Sequence, residues 1–300
     1  MHARTRKTAL VEGATAGVLF GTAAIFVRFM QDLDYLSIVF WRLIIACLAL
    51  AALSVLFRRT FQFGLVKGNI KELFVLSVFI ALHFIFFTAS IKDTTILNAT
   101  VLVSTVPFFS ILVSIFFFKV MPSRFALVGL AVSFIGVCII ALGETSLLNP
   151  ANQGVPETLK GDLEAVAAAM AEAVYLNYGR KVRSQMSILS IMVPVYAFTA
   201  GVVGIVSVVV GNSGSSLLPL SSSILPLLGL GLLPTAIAHT LYFSSLYNFK
   251  SFETATMALL EPVGATILGI AIFREIPAPI FIAGAALTLV GIFFTIKNEH

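Results

Sequence analysis

The chain carries no Asp, Glu, Lys or Arg between Ser184 and Phe249, where it reads SQMSILSIMVPVYAFTAGVVGIVSVVVGNSGSSLLPLSSSILPLLGLGLLPTAIAHTLYFSSLYNF. A membrane-spanning helix needs about 20 mostly apolar residues, so this stretch is too long for a single helix. Gly, Asn, Ser and Pro break periodic structure, and they cluster over residues 211–216 and 219–223. The stretch therefore predicts two membrane-spanning helices with a turn between them.

The composition of the whole chain is that of a membrane protein. Of its 300 residues, 59% are hydrophobic and 11% are charged, whereas a soluble domain carries roughly 25% charged residues. The net charge of +5 does not indicate nucleic-acid binding, because the basic residues lie in short clusters between apolar runs. Cys47 and Cys138 lie in separate apolar runs, which is typical neither of a disulfide framework nor of a zinc site. We expect no metal ion and no cofactor.

Charged residues and turn signals divide the chain into ten apolar segments. Closed β-barrels also span membranes, but these segments do not alternate in period two, so we predict an all-α membrane protein with ten transmembrane helices. Their predicted bounds are residues 10–30, 36–57, 72–91, 94–118, 124–142, 160–180, 187–210, 224–247, 252–273 and 277–296.

The distribution of basic residues predicts the orientation of these helices. Ten helices place both termini on one side of the membrane, and the loops of that side hold Arg4, Arg6, Lys7, Arg58, Arg59, Lys67, Lys71, Lys119, Arg124, Arg180, Lys181, Arg183, Lys250 and Lys297. The opposite loops hold only Lys92, Lys160 and Arg274. By the positive-inside rule we expect a multi-pass protein of the cytoplasmic (inner) membrane with both termini in the cytoplasm. The basic N-terminus and the apolar run after it are interpreted as a retained first helix rather than a signal peptide.

The two halves of the chain resemble each other. At a shift of 155 residues, Pro107 falls on Pro262, Phe118 on Phe273, Pro122 on Pro277, Gly129 on Gly284 and Gly136 on Gly291. At a shift of 156, His83-Phe84-Ile85-Phe86-Phe87-Thr88 resembles His239-Thr240-Leu241-Tyr242-Phe243-Ser244. These matches suggest that the chain arose by duplication.

Each half contains five helices, and because five is odd, the second half must cross the membrane inverted relative to the first. We predict two inverted five-helix repeats, residues 1–142 and 160–300, joined by a loop over 143–159 and arranged around a central cavity. Inverted repeats are typical of secondary transporters, in which the substrate site lies near the bilayer midplane.

Several motifs resemble those of EamA-type members of the drug/metabolite transporter superfamily. They are Leu260-Glu261-Pro262-Val263-Gly264-Ala265, Phe273-Arg274-Glu275-Ile276-Pro277, Gly284, Gly291, Phe40-Trp41-Arg42 and Gly161-Asp162-Leu163. The resemblance implies export of a small organic metabolite such as an amino acid, through a cavity lined by helices one, three, four, six, eight and nine. Lys119-Val120 stands where the family often has a glutamate at the end of the fourth helix. Glu275, with a structural role, alone keeps the matching position.

Ionisable side chains inside a membrane usually face a protein interior or a cavity, and few of them lie within these helices. In the sixth helix, helical spacing places Glu164, Ala168, Glu172, Tyr175 and Gly179 on one stripe. We predict that Glu172 and Tyr175 line the substrate site. A polar contact between packed helices is the alternative for this stripe.

The second half adds further candidates for the substrate site. Glu261 precedes Pro262, which removes a backbone donor and is expected to kink the ninth helix. Substrate binding and a structural hydrogen bond both remain open for this glutamate. His83 and His239 occupy matching positions of the repeat, and each is interpreted either as a packing residue or as cavity lining beside aromatic residues such as Tyr242. Histidine titrates near physiological pH, so a proton is the candidate coupling ion.

Two arginines lie within or at the ends of predicted helices. Arg28, near the outer end of the first helix, either snorkels to the interface or receives a substrate carboxylate. Arg42 is interpreted as a structural anchor at the start of the second helix, and Pro107 and Pro262 as structural residues at matching places of the repeat.

Two other function classes remain as alternatives to a transporter. One is an intramembrane enzyme acting on a lipid-soluble substrate with Glu and His as acid and base, and the other is a membrane scaffold. The repeat favours a transporter, because an enzyme does not need inverted symmetry. The expected partners are therefore a small-molecule substrate and the lipid bilayer.

Overall fold

The computed structural model describes residues 5–56, 61–146, 158–210, 221–268 and 279–297. Within these ranges the chain is helical and contains no strand, as the sequence predicts. Eight stretches of the described residues are long and apolar enough to cross a membrane, which confirms a multi-pass membrane protein. They are Arg6–Arg28, Tyr35–Leu56, Ile70–Asp93, Ile96–Phe118, Arg124–Leu142, Ile188–Val210, Ile224–Ser245 and Ile280–Lys297.

The predicted sixth and ninth spans are not among these eight. Leu159–Arg183 is a continuous helix of 25 residues, but it carries more charged residues than the other long helices. The helical part of the ninth span begins at Ser251 and is described as far as Leu268. Both segments therefore remain predicted spans. Most of the predicted connecting loop over 143–159 lies outside the described residues, and Glu275 lies wholly outside them.

The helices are named in chain order. They are α1 (Arg6–Phe20), α2 (Ala23–Arg28), α3 (Tyr35–Leu56), α4 (Phe63–Gly68), α5 (Ile70–Asp93), α6 (Ile96–Val103), α7 (Val106–Phe118), α8 (Arg124–Ser146), α9 (Leu159–Arg183), α10 (Ile188–Val210), α11 (Ile224–Leu230), a π-helix (Gly231–His239), α12 (Thr240–Ser245), α13 (Ser251–Met257), a 3-10 turn (Ala258–Leu260), α14 (Glu261–Leu268) and α15 (Ile280–Lys297). A second 3-10 turn, Ser221–Ser223, precedes α11.

Four of the predicted spans change helix type or break along their length. The breaks separate α1 from α2 and α6 from α7, the π-helix separates α11 from α12, and the 3-10 turn separates α13 from α14. Proline lacks the backbone N–H that continues an α-helix, and Pro107, Pro234 and Pro262 lie at three of these places. At Pro262, where the sequence predicts a kink, the helix changes from the 3-10 to the α form.

Glycine allows α1 and α14 to touch through their backbones. A Cβ atom on Gly21 would lie 2.3 Å from the backbone nitrogen of Ala265, and one on Gly264 would lie 2.2 Å from the carbonyl oxygen of Val18. No side chain fits in these contacts. The close approach brings the end of α1 and the start of α14 to the same level of the bundle.

The glycines of α8 and α15 bring these two helices into close contact. A Cβ atom on Gly129 would lie 2.6 Å from the carbonyl oxygen of Gly291, and one on Gly136 would lie 2.6 Å from the carbonyl oxygen of Gly284. In a membrane, small residues allow such backbone contact and the van der Waals packing that holds helices together. The helices α5 and α9 also pack against each other, but unlike α8 and α15 they carry the ionisable residues His83 and Glu172 within their contact.

Candidate functional site

The helix interruptions meet at a central cavity with about 30 Å³ of space. Since one water molecule needs roughly 10–15 Å³ measured this way, the cavity has room for about two or three waters and must widen to admit a larger molecule. Its walls come from α1, α2, α3, α5, α6, α7, α9, the π-helix, α13, the 3-10 turn and α14. The six spans expected to line the cavity all contribute, and α3 is an addition.

Four of the candidate residues lie together at this cavity. Glu172, Glu261, His83 and His239 all line it, and each is at least nine-tenths buried. They come from α5, α9, α14 and the π-helix, which are far apart in the sequence. The cavity thus concentrates ionisable groups where the surrounding helices are apolar.

Glu172 and His83 form a pair between α9 and α5. The distance from His83 Nδ1 to Glu172 Oε2 is 3.3 Å, and Nδ1 also lies 3.2 Å from the carbonyl oxygen of Ala168. A carbonyl oxygen only accepts hydrogen bonds, so this geometry assigns a proton to Nδ1. The imidazole stacks on Phe87 with an interplanar angle of 5°. Glu172 therefore joins two packed helices and lines the cavity at the same time.

His239 lies next to His83 in the lining of the cavity. Their ring centroids are 5.8 Å apart in an edge-to-face arrangement. His239 also contacts Phe20 at 4.7 Å and Phe84 at 4.8 Å between ring centroids. Its Nδ1 atom is buried and has no hydrogen-bond partner among the described residues. The two histidines that match in the repeat thus meet within one aromatic wall.

Glu261 begins α14, directly after the 3-10 turn. Among the described residues, no hydrogen bond or ion pair involves its carboxylate. It lines the central cavity and also an adjacent one of about 50 Å³. The structural hydrogen bond that the sequence left open is therefore absent from the described part of the chain, and the carboxylate is available to a ligand.

Arg42 belongs to this site, although the sequence suggested only an anchor at a helix start. It lies about two turns into α3, is 1% exposed and lines the cavity. Its Nε donates a hydrogen bond of 2.9 Å to Thr235 Oγ1. Its guanidinium carbon lies 4.1 Å from the centroid of the Phe84 ring, within the range of a cation–π interaction.

Tyr175 and Tyr242 are not among the residues that line the cavity. The Tyr175 hydroxyl is 3.8 Å from the sulfur of Met192, and its ring packs on Phe243. Tyr242 places its ring edge-to-face with Phe20, 5.2 Å between centroids. Tyr242 therefore packs against a cavity-lining residue, whereas Tyr175 packs against Met192 and Phe243, which do not line the cavity.

Arg28 lies apart from the cavity-lining residues. It ends α2 and is only partly buried. Its three guanidinium nitrogens have no hydrogen-bond partner in the described ranges. Pro107, the other matching proline of the repeat, does line the cavity at the start of α7.

A transporter family and two proteins named as transporters match this chain. The EamA-like transporter family matches residues 8–142 and 159–297. A protein of Archaeoglobus fulgidus, named an uncharacterized transporter, is 24% identical over 290 residues, covering 94% of this chain and 95% of its own. The uncharacterized transporter YdfC of Bacillus subtilis (strain 168) is 27% identical over 202 residues, covering 66% of this chain and 61% of its own. One crystal structure superposes with a TM-score of 0.74 over 97% of this chain and 96% of the other, and at 17% identity it shows the fold alone.

Proposed function

The chain belongs to the EamA-like transporter family, and we propose that it exports a small organic metabolite, an amino acid or a related compound, by alternating access. It is a transporter and not an enzyme, as the family and the names of its relatives indicate. The intramembrane enzyme considered from the sequence is therefore set aside. The outward direction follows from the resemblance to EamA-type transporters and is part of the proposal.

One observation carries the proposal of an amine-containing substrate. Glu261 presents a carboxylate without a partner among the described residues to a cavity that Glu172 also lines. A buried charge is costly unless it is paired, so an ammonium group entering this cavity would find a counter-charge. Proton exchange with these groups is part of the same proposal.

The interrupted helices support alternating access. In secondary transporters, substrate sites are formed where transmembrane helices are discontinuous, near the midplane of the bilayer. Here the four interruptions all contribute lining to one cavity. The cavity is too small for a metabolite in this arrangement, so we assign the structure to a closed state between inward and outward opening.

We further propose that the fold consists of ten helices in two inverted repeats. In a two-fold arrangement, equivalent residues contact each other reciprocally. Ser133 and Thr288 are equivalent at the shift of 155, and each hydroxyl lies close to the carbonyl oxygen of the other, at 3.3 and 3.5 Å. The equivalent residues His83 and His239 also meet. The family matches both halves of the chain, which supports the same division.

Labelling of single cysteines tests the proposed topology, with both termini in the cytoplasm. Cys47 and Cys138 are first replaced by Ser. We expect Ser184→Cys, in the exposed turn after α9, to react with a membrane-impermeant maleimide only from the cytoplasmic side, and Ser213→Cys only from outside. Reaction of Ser213→Cys from the cytoplasm would contradict the ten-helix count.

Reconstitution into liposomes tests the proposed transport activity. The purified protein is expected to catalyse uptake of at least one labelled amino acid from a panel, and the rate is expected to change when a pH gradient is imposed. Liposomes without protein supply the background rate. If no amino acid is transported in either condition, the proposed substrate class is wrong, although the membership in a transporter family still stands.

A further inference from the structure

Arg42 is a buried cation without a counter-ion among the described residues. No carboxylate of these residues lies within ion-pair distance of its guanidinium, and its Nη1 atom is buried without a hydrogen-bond partner. Moving an unpaired charge from water into the interior of a membrane protein costs several kcal/mol. Such an arrangement is expected where a ligand supplies the missing anion.

The surroundings of Arg42 hold its guanidinium in place while leaving the buried Nη1 atom without a hydrogen-bond partner among the described residues. Pro234 has no N–H to bond to the carbonyl of Leu230, and the hydroxyl of Thr235 donates to that carbonyl instead, at 2.6 Å. The remaining lone pairs of this hydroxyl accept the hydrogen bond from Arg42 Nε, at 2.9 Å. The Tyr196 hydroxyl donates to the carbonyl of Thr235, at 2.8 Å. The π-helix therefore orients the arginine through its Nε.

The acidic groups of the cavity are separate from this arginine. Glu172 lies 3.3 Å from His83, and Glu261 projects from α14 without a partner in the described ranges. Because Arg42 and Glu261 line one cavity and do not pair with each other, the cavity has one cationic and one anionic group available. An α-amino acid carries the two complementary charges, an ammonium and a carboxylate group, on the same carbon atom.

We infer that Arg42 binds the carboxylate of the substrate while Glu261 receives its ammonium group, an inference that rests on the proposed amino-acid transport. The planar guanidinium suits a carboxylate, because its N–H groups bind both oxygens at once. The side chain of the substrate meets a largely apolar wall that includes Phe20, Val103 and Leu259. The site therefore takes an amino acid with an apolar side chain, and it assigns to Arg42 the role that the sequence offered to Arg28.

Binding of four related compounds to the purified full-length protein tests this assignment. L-leucine carries both charges, leucinamide lacks the carboxylate, 3-methylbutylamine keeps the amine alone, and 4-methylpentanoate keeps the carboxylate alone. Dissociation constants are measured by titration calorimetry. A hydrogen bond to a charged group is worth about 1.5–3 kcal/mol, so the wild-type protein is expected to prefer L-leucine over leucinamide by about 10- to 100-fold.

Arginine variants test which residue causes the preference for L-leucine over leucinamide. Arg42→Gln is expected to bind L-leucine and leucinamide equally. Arg42→Lys keeps the charge but loses the planar fork, so it is expected to retain only part of the preference, and it carries the test if Arg42→Gln does not fold. The matched control is Arg183→Gln, because Arg183 is also buried but bonds to the carbonyl of Met186 outside the cavity. This control is expected to keep the wild-type preference.

The results that overturn the inference are distinct from those that overturn the proposed function. Equal binding of L-leucine and leucinamide by the wild-type protein would remove the carboxylate site and leave amino-acid transport standing. The same holds if Arg28→Gln, and not Arg42→Gln, equalises the two compounds. If the wild-type protein binds none of the four compounds and transports no amino acid in liposomes, the proposed substrate class fails together with the inference.

Discussion

Replacing Glu261 by Gln is expected to abolish transport and to leave a folded protein in the membrane. The amide has nearly the same size, and no hydrogen bond of the described residues depends on this carboxylate, so the fold loses no known contact. The substitution removes only the negative charge at the cavity. A charge-assisted hydrogen bond is worth about 1.5–3 kcal/mol, so substrate affinity is expected to fall about 10- to 100-fold at about 1.4 kcal/mol per tenfold.

Glu172→Gln is expected to reduce transport as well, with a small loss of stability. Its carboxylate lies 3.3 Å from His83 between α9 and α5, so the substitution weakens a helix contact in addition to changing the cavity. Thermal unfolding of the purified variant separates the two effects. A variant that unfolds at the wild-type temperature but does not transport would show that the charge itself is needed.

Glu164→Gln provides the matched control for both variants. Glu164 lies on the same stripe of α9 as Glu172 but near its N-terminus, where it is 3.5 Å from Lys160 and outside the central cavity. Initial rates of labelled substrate uptake in liposomes are compared for the three variants, and the control is expected to transport normally. Full transport by both cavity variants would show that the charges of Glu172 and Glu261 are not needed for transport and that these residues serve only in packing.

The composition of the cavity could largely be predicted from the sequence, because charged residues within apolar helices are rare and costly. That cost restricts Glu172 and Glu261 to the protein interior, and the cavity brings them together with the two histidines. The sequence could not indicate that Glu172 pairs with His83, since that contact depends on how α5 packs against α9. Helical spacing also placed Tyr175 on the stripe of Glu172. A three-residue step turns a side chain about 60° away from its starting direction, which places Tyr175 beside Phe243 instead of at the cavity.

The position of Arg42 in the cavity could not be predicted from the sequence. A long cationic side chain within two turns of a helix end either reaches the interface or turns inward, and the local sequence is the same in both cases. The choice is made by tertiary contacts, here with Thr235 and Phe84. The π-helix that presents Thr235 contains Pro234. Arg42 is far from Pro234 in the sequence, so the residues around Arg42 do not indicate this effect.

Substrate movement is expected to drive protons in the opposite direction. The groups that face the cavity are Glu172, Glu261, His83, His239 and Arg42. Glu261 is buried without a partner among the described residues, and an unpaired buried charge is costly, so this carboxylate is stabilised either by a proton or by the ammonium of the substrate. Both cannot occupy it at once. Competition for one carboxylate is sufficient to couple the outward movement of an amine to the inward movement of a proton.

Liposomes loaded with a pH-sensitive dye measure this coupling. Adding a transported amino acid is expected to change the internal pH with wild-type protein and to have no effect with Glu261→Gln. The Glu164→Gln protein serves as the control, because its cavity is intact and it should respond as the wild type does. The initial rate of uptake is expected to differ between about pH 6 and about pH 8, because a higher proton concentration competes more strongly with the substrate for the carboxylate. Transport at equal rates at both pH values and without any dye response would exclude the proton as the coupling ion.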